Sequence, residues 1–166
     1  VRQHGAARLG DAELLRRVAG VSPAELSQAL RELSAWQVIE ETEEPALYRF
    51  RHAITQQALS AGISAERARL LHETCARALE SYRVTPRHSI EAARCWVAAG
   101  NESRAFADYV VAAAAAERVF AYDEAATAYA AALELRPTDL PPAELAQILL
   151  GSAAASAALM RAEEAI

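Results

Sequence analysis

The residues best placed to do chemistry lie in YRFRHAITQQAL, Tyr48 to Leu59, where aromatics alternate with arginines and a histidine arrives where a helix should begin. An imidazole N–H at that point, beside the helix's own free backbone N–H groups, suits an anionic group such as a phosphate. Arg49 and Arg51 add charge from one face of the preceding strand. The competing readings are that His52 caps or packs the helix and that the arginines form a solvated strand face. Catalysis by His52 is not expected, because no serine or cysteine sits in a recognisable nucleophile motif and the acid–base groups lack a constellation. His72 and Cys75 share a helix, and His88 and Cys95 lie near the next. Four such residues could in principle bind zinc, but their spacing fits no finger, so no metal site is expected. Cys75 falls in an apolar stripe, and a buried free thiol is the default reading. The two cysteines form no CxxC pair and suggest no disulfide framework, which fits a reduced cytoplasmic setting.

The elements that must position these groups read as follows. Ala12 to Ala19 is a short helix stopped by Gly20. Ser22 caps the next, with Pro23 at the first helical position and Glu25 completing a capping box. QVIEETEEPALYRFR reads as a β-hairpin: Val38-Ile39 opens it, Glu43-Glu44-Pro45 turns it and Leu47 to Arg51 returns. Helix, helix, hairpin is the core of a winged-helix segment, and a further helix is expected before it, from VRQHGAARLG. The chain is helical from Ala53 onward. Ser64 caps a long amphipathic helix with Ala68, Leu71, Cys75, Ala78 and Tyr82 on its apolar side, expected to dock on the winged-helix segment. A linker is expected at Val84 to Arg87. Ile90, Ala93 and Val97 form the stripe of the next helix, Gly100 ends it, and Asn101 caps one running to about Val119. Tyr122 to Leu135 and a last helix from Pro142 complete the set. The expected fold is therefore mainly α: a winged-helix-like segment with one β-hairpin over residues 1–63, a connecting helix over 64–84, and an α-solenoid over 85–166.

Composition narrows the function classes. The chain is 53% hydrophobic and 23% charged, in the globular range, but much of the apolar share is alanine, which packs closely and buries little area. All 17 basic residues are arginine, so a Walker A phosphate loop, which needs lysine, cannot be present. Between Ser22 and Tyr48 the glutamates 25, 32, 40, 41, 43 and 44 face Arg31 alone, which repels DNA phosphate. The start of the chain has no signal-peptide pattern. The apolar run Leu145 to Met160 contains Gln147, Gly151 and two serines and reads as a packed helix, too short and polar to span a membrane.

AYDEAATAYAAALELRP, Ala121 to Pro137, resembles the second helix of a tetratricopeptide repeat, with Ala125, Tyr129, Ala132 and Pro137 in the motif positions and Tyr109 at the large-residue position of the first helix. Ala112, Ala113 and Ala116 replace the usual Leu-Gly and aromatic. Leu149 to Gly151 is similar to the Leu-Gly of a following repeat. Together, from about Asp11 to Ile166, the chain resembles the middle of the large ATP-binding LuxR-type regulators, a branch of the STAND signal-transduction NTPases. The resemblance implies an NTPase domain elsewhere in the full-length protein, with ATP or ADP as its nucleotide and no cofactor in this segment. It implies that His52, in Arg51-His52-Ala53, matches the histidine of the Met-His-Asp motif that contacts the β-phosphate of ADP, with Arg49 and Arg51 as further candidates. It implies a non-enzymatic, cytoplasmic, regulatory segment whose partners are its own NTPase domain and a protein or small effector, without membrane or nucleic-acid contact. Arg104, Asp108 and Val111 are the candidate partner-binding residues of the solenoid. The alternative is a stand-alone scaffold whose repeats bind a protein partner.

Overall fold

A computed structural model describes residues 8–43, 46–81 and 85–164. The chain divides into two compact units, one up to Ala68 and one from Arg69 onward. The division falls within the helix expected at 64–84. The expected turn residues Glu44 and Pro45, Tyr82, Val84 and residues 1–7 lie outside the described residues.

In the first unit, strand β1 (Arg8–Asp11) is followed by helices α1 (Ala12–Ala19) and α2 (Pro23–Ala35), strands β2 (Ile39–Glu41) and β3 (Leu47–Phe50), and helix α3 (Ala53–Ala61). Gly20, at φ +67°, ends α1 in a left-handed conformation that favours glycine. The Ser22 hydroxyl accepts from the Glu25 amide at 3.3 Å, and the Glu25 carboxylate accepts from the Ser22 amide at 2.8 Å, closing the capping box. The hairpin forms as expected, with Ile39 opposite Phe50 and Glu40 opposite Arg49. The helix expected before α1 is not what residues 8–11 form: RLGD pairs antiparallel with β3 and makes a three-stranded sheet of order β1-β3-β2. The stretch has no apolar stripe to bury as a helix, while β3 offers an edge whose N–H and C=O groups need partners. Among the described residues of this unit, Leu30 and Ile39 are the buried apolar ones.

The second unit takes the C-terminal part of α4 (Ala65–Ser81) with α5 (Pro86–Ala98), α6 (Glu102–Arg118), α7 (Tyr122–Glu134) and α8 (Pro142–Glu164). From α5 on, each helix packs on the next, and α6 also touches α8 as α5 touches α7. That is the neighbour pattern of a solenoid of helix pairs. Asn101 caps α6, its carbonyl oxygen accepting from the Arg104 amide at 3.2 Å. Two stripes differ from expectation. On α5 the buried residues are Ser89, Ile90, Ala92, Ala93 and Trp96, whereas Val97 is 42% exposed. On α4 the buried residues are Ala76, Ala78 and Leu79, and Leu71 is exposed. The linker expected through Arg87 is shorter, because Pro86 and Arg87 already form the first turn of α5 behind the N-cap Thr85.

The core is built of alanine. Ala76, Ala93, Ala105, Ala112, Ala113, Ala128 and Ala132 are all fully buried, and Trp96, Phe106, Tyr109, Tyr129, Ile90 and Ile148 fill the space between them. Helix α8 is longer than the run read from the sequence. By length and composition its stretch Pro142–Arg161 is apolar enough to cross a membrane, contrary to that reading. One face of it nevertheless packs inside the unit through Ile148, Gly151 and Ala155. A Cβ on Gly151 would meet the hydroxyl, Cζ and Cε2 of Tyr129, the last at 2.8 Å. Gly151→Ala should therefore destabilise the protein by about 1–3 kcal/mol through overpacking. Adding Tyr129→Leu should remove much of that penalty in a double-mutant cycle read by urea unfolding.

Candidate functional site

Strand β3 ends at Phe50, and the Arg51 amide donates to the Val38 carbonyl at 3.0 Å, holding the end of the hairpin against the start of β2. His52 then takes an extended conformation, φ −131° and ψ 130°, as the N-cap of α3. Its carbonyl accepts from the Thr55 and Gln56 amides. Its ring makes no capping hydrogen bond and is exposed. The first backbone N–H groups of a helix have no partner within it, so an exposed imidazole stands beside them, with the exposed Arg51 one residue back.

Arg49 does not join this group on equal terms. Its guanidinium is held by Glu40 directly across the hairpin, with Nε 2.7 Å and Nη2 2.6 Å from Oε1. Half of that side chain is exposed, so the pair adds little stability, but it offsets the charge Arg49 was expected to offer an anion.

In the second unit, Ala125, Tyr129 and Ala132 are buried on α7 and Tyr109 is buried on α6, while Pro137 follows the end of α7 and its carbonyl accepts from the Leu140 amide. The Tyr129 hydroxyl donates to Glu117 at 2.9 Å. Burial first, and then that carboxylate, push the phenol up to about 12. The three residues expected to face a partner separate. Val111 is half-exposed, but Asp108 is buried at 7% exposure, off any accessible surface. Arg104 lies over the Trp96 ring, its guanidinium carbon 4.7 Å from the centroid. Arg77 approaches the same ring at 5.7 Å, and the Trp96 indole N–H donates to Glu80 at 2.8 Å. Among the described residues no three His, Cys, Asp or Glu side chains gather as a metal site. His88 meets the Thr85 hydroxyl at 2.9 Å. A shallow cleft of about 240 Å³ runs between α5 and α7, where Arg87, Glu91 and Arg94 face Asp123 and Glu124.

Three features escaped the reading of the sequence. Ala92 and Trp96 on α5 and Ala99 at its C-cap sit 33 residues before Ala125, Tyr129 and Ala132 on α7, the same small–aromatic–small pattern. Comparing the chain with itself at that offset finds it. Glu80 of α4 accepts from the Trp96 indole of α5; only a correct pairing of two helices reveals this. Phe120, in the turn between α6 and α7, is 75% exposed at φ 59°, a conformation unusual for a bulky residue.

Two outcomes follow from this geometry. Phe120→Gly should stabilise the chain by up to about 1 kcal/mol, since left-handed strain is relieved and only part of it returns as glycine's entropy. Thermal unfolding checks this. The native state keeps the Tyr129 proton that the unfolded chain releases near the ordinary value of 10.0. Stability should therefore hold below that pH and fall as pH rises toward about 12. Tyr129→Phe should flatten part of this decline in urea unfolding across the alkaline range. No family model, no curated protein and no solved structure matches the chain.

Proposed function

We propose that this chain is a regulatory segment of a STAND-type, LuxR-like transcriptional regulator. In this reading a nucleotide-binding domain elsewhere in the full-length protein reports its ATP or ADP state through the winged-helix-like unit. A tetratricopeptide-like solenoid receives the signal or partner. The observation that carries the reading is His52: an exposed, uncapped imidazole at the N-terminus of α3, immediately behind the last strand of the hairpin. A histidine kept only for capping would bond the first turn, and one kept only for packing would be buried; His52 does neither. The order strand, helix, helix, hairpin, with β3 central, supports the winged-helix part. The small–aromatic–small pattern repeated 33 residues apart supports the solenoid part.

The residues fit a nucleotide phosphate in part. His52 and the N–H groups of the α3 first turn suit the anion, and Arg51 is exposed beside them. Arg49, held by Glu40, does not fit and leaves the site. The nucleotide would supply a β-phosphate whose charge these groups stabilise in the ADP state; the segment itself carries out no reaction. A cytoplasmic location belongs to the same reading, with α8 as a solenoid helix, supported by the seating of Gly151 on Tyr129.

His52→Ala in the full-length protein should release ADP about tenfold faster, the loss of one hydrogen bond to a charged group, and raise basal output. Arg49→Ala should change the ADP off-rate little. An unchanged ADP off-rate and output in His52→Ala would leave the scaffold reading, in which the repeats bind a protein partner without nucleotide control.

A further inference from the structure

One stripe of α5 faces the start of α7 across the shallow cleft of about 240 Å³. Arg87, Ile90, Glu91 and Arg94 follow at helical spacing, so one face of α5 carries all four. Ile90 is buried and gives the cleft an apolar floor. Asp123 and Glu124, in the first turn of α7, form the opposite wall. Arg87 is already engaged, its Nε 3.2 Å from Oε1 of Glu91. The ion pairs among the described residues include neither Arg94 nor Asp123 nor Glu124, and all three are exposed. The walls thus carry opposite charges that do not meet across the cleft: one guanidinium on one side, two carboxylates on the other. Acidic residues in a first turn also stabilise their own helix, but that role requires neither a cleft nor a cation across it.

We propose that this cleft binds a free basic α-amino acid, of which L-lysine is the model. The charges set the class. An α-carboxylate matches Arg94, whose planar fork can hold it by two parallel hydrogen bonds. An α-ammonium and a side-chain ammonium match Asp123 and Glu124. One negative and two positive charges on the ligand thereby complement two negative and one positive on the walls. The methylene stem between them lies on Ile90, as the stems of long cationic side chains lie on apolar surface. The cleft is smaller than the roughly 300–1,000 Å³ that drug-sized ligands occupy, which suits a single amino acid. Exposed ion pairs are individually weak, so each charge contributes about two- to fivefold to affinity. Such a ligand would be the signal of the regulatory reading proposed above, and its physiological role rests on that reading; the binding itself rests on α5 and α7 alone.

The test titrates the isotope-labelled 166-residue chain with L-lysine at low ionic strength and follows its amide resonances by NMR. Those of residues 87–94 and 123–127 should shift and saturate. Two further ligands each lack one partner group: norleucine has no side-chain ammonium, and cadaverine has no carboxylate. Each should bind about two- to fivefold more weakly than lysine. Arg94→Gln should bring lysine down to the affinity of cadaverine without weakening cadaverine itself. Asp123→Asn with Glu124→Gln should weaken lysine about tenfold. No shift, shifts centred away from α5 and α7, the same shifts from sodium chloride at matched ionic strength, or equal affinity for the three ligands would each overturn the proposal. The ligand series on the unsubstituted chain decides even if a variant fails to fold. Failure here leaves the effect of His52 on ADP release untouched, and an unchanged ADP off-rate in His52→Ala leaves lysine binding standing.

Discussion

The second unit depends on how closely its helices approach, and that distance is set by two aromatic side chains held at both ends. Trp96 and Tyr129 lie with their rings among fully buried alanines. Their polar tips donate to carboxylates on the preceding helix, Trp96 to Glu80 and Tyr129 to Glu117. An aromatic of this kind, when buried, needs a partner for its N–H or O–H. Both glutamates are the penultimate residues of their helices, α4 ending at Ser81 and α6 at Arg118. A carboxylate there opposes the helix dipole, by roughly 0.3–1 kcal/mol. The aromatic donors account for their presence in that position. Alanines around each ring then follow, since anything larger would push the helices apart and break the hydrogen bond at the ring's tip.

This arrangement also explains why so small a core suffices. Each alanine buries little area, but close approach raises the number of dispersion contacts per residue, and each aromatic fills the gap that small neighbours leave. Gly151 extends the logic into α8: it alone gives the Tyr129 ring room on that side. The first unit works differently. Its centre is β3, which pairs on both edges, and its charges are met locally, Arg49 by Glu40 and Glu13 by Arg16 and Arg17. Glu13 is held down to about 2 by hydrogen bonds from Arg16 and then Arg17.

Much of this was legible in the sequence where a signal was local. The capping box at Ser22, the caps at Ser64 and Asn101, the stops at Gly20 and Gly100 and the starts at Pro23 and Pro142 each depend on a few neighbouring residues, and each was found near its expected place. What failed was non-local. Strand β1 exists only because β3 has an edge to satisfy. The α5 stripe turned because Trp96, not Val97, has a carboxylate waiting on α4. Arg49 was read as available because its cross-strand partner depends on hairpin register, and Asp108 as exposed because helical spacing alone does not say which face a neighbour covers. His52 is the intermediate case. Its place at the helix start was readable, while its freedom from capping and packing required the coordinates.

Helix α4 carries the division between the two units. It begins before Ala68 and ends well after Arg69, so it belongs to both units. Within the second unit its polar contacts are to Trp96 of α5. The fixings are specific and polar: Glu80 on the indole N–H and Arg77 over the ring. An apolar seam tolerates small rotations, because dispersion is nearly indifferent to direction. Hydrogen bonds are not, and weaken steeply as angles open. A helix held by directional contacts therefore rests in one register or leaves it as a whole.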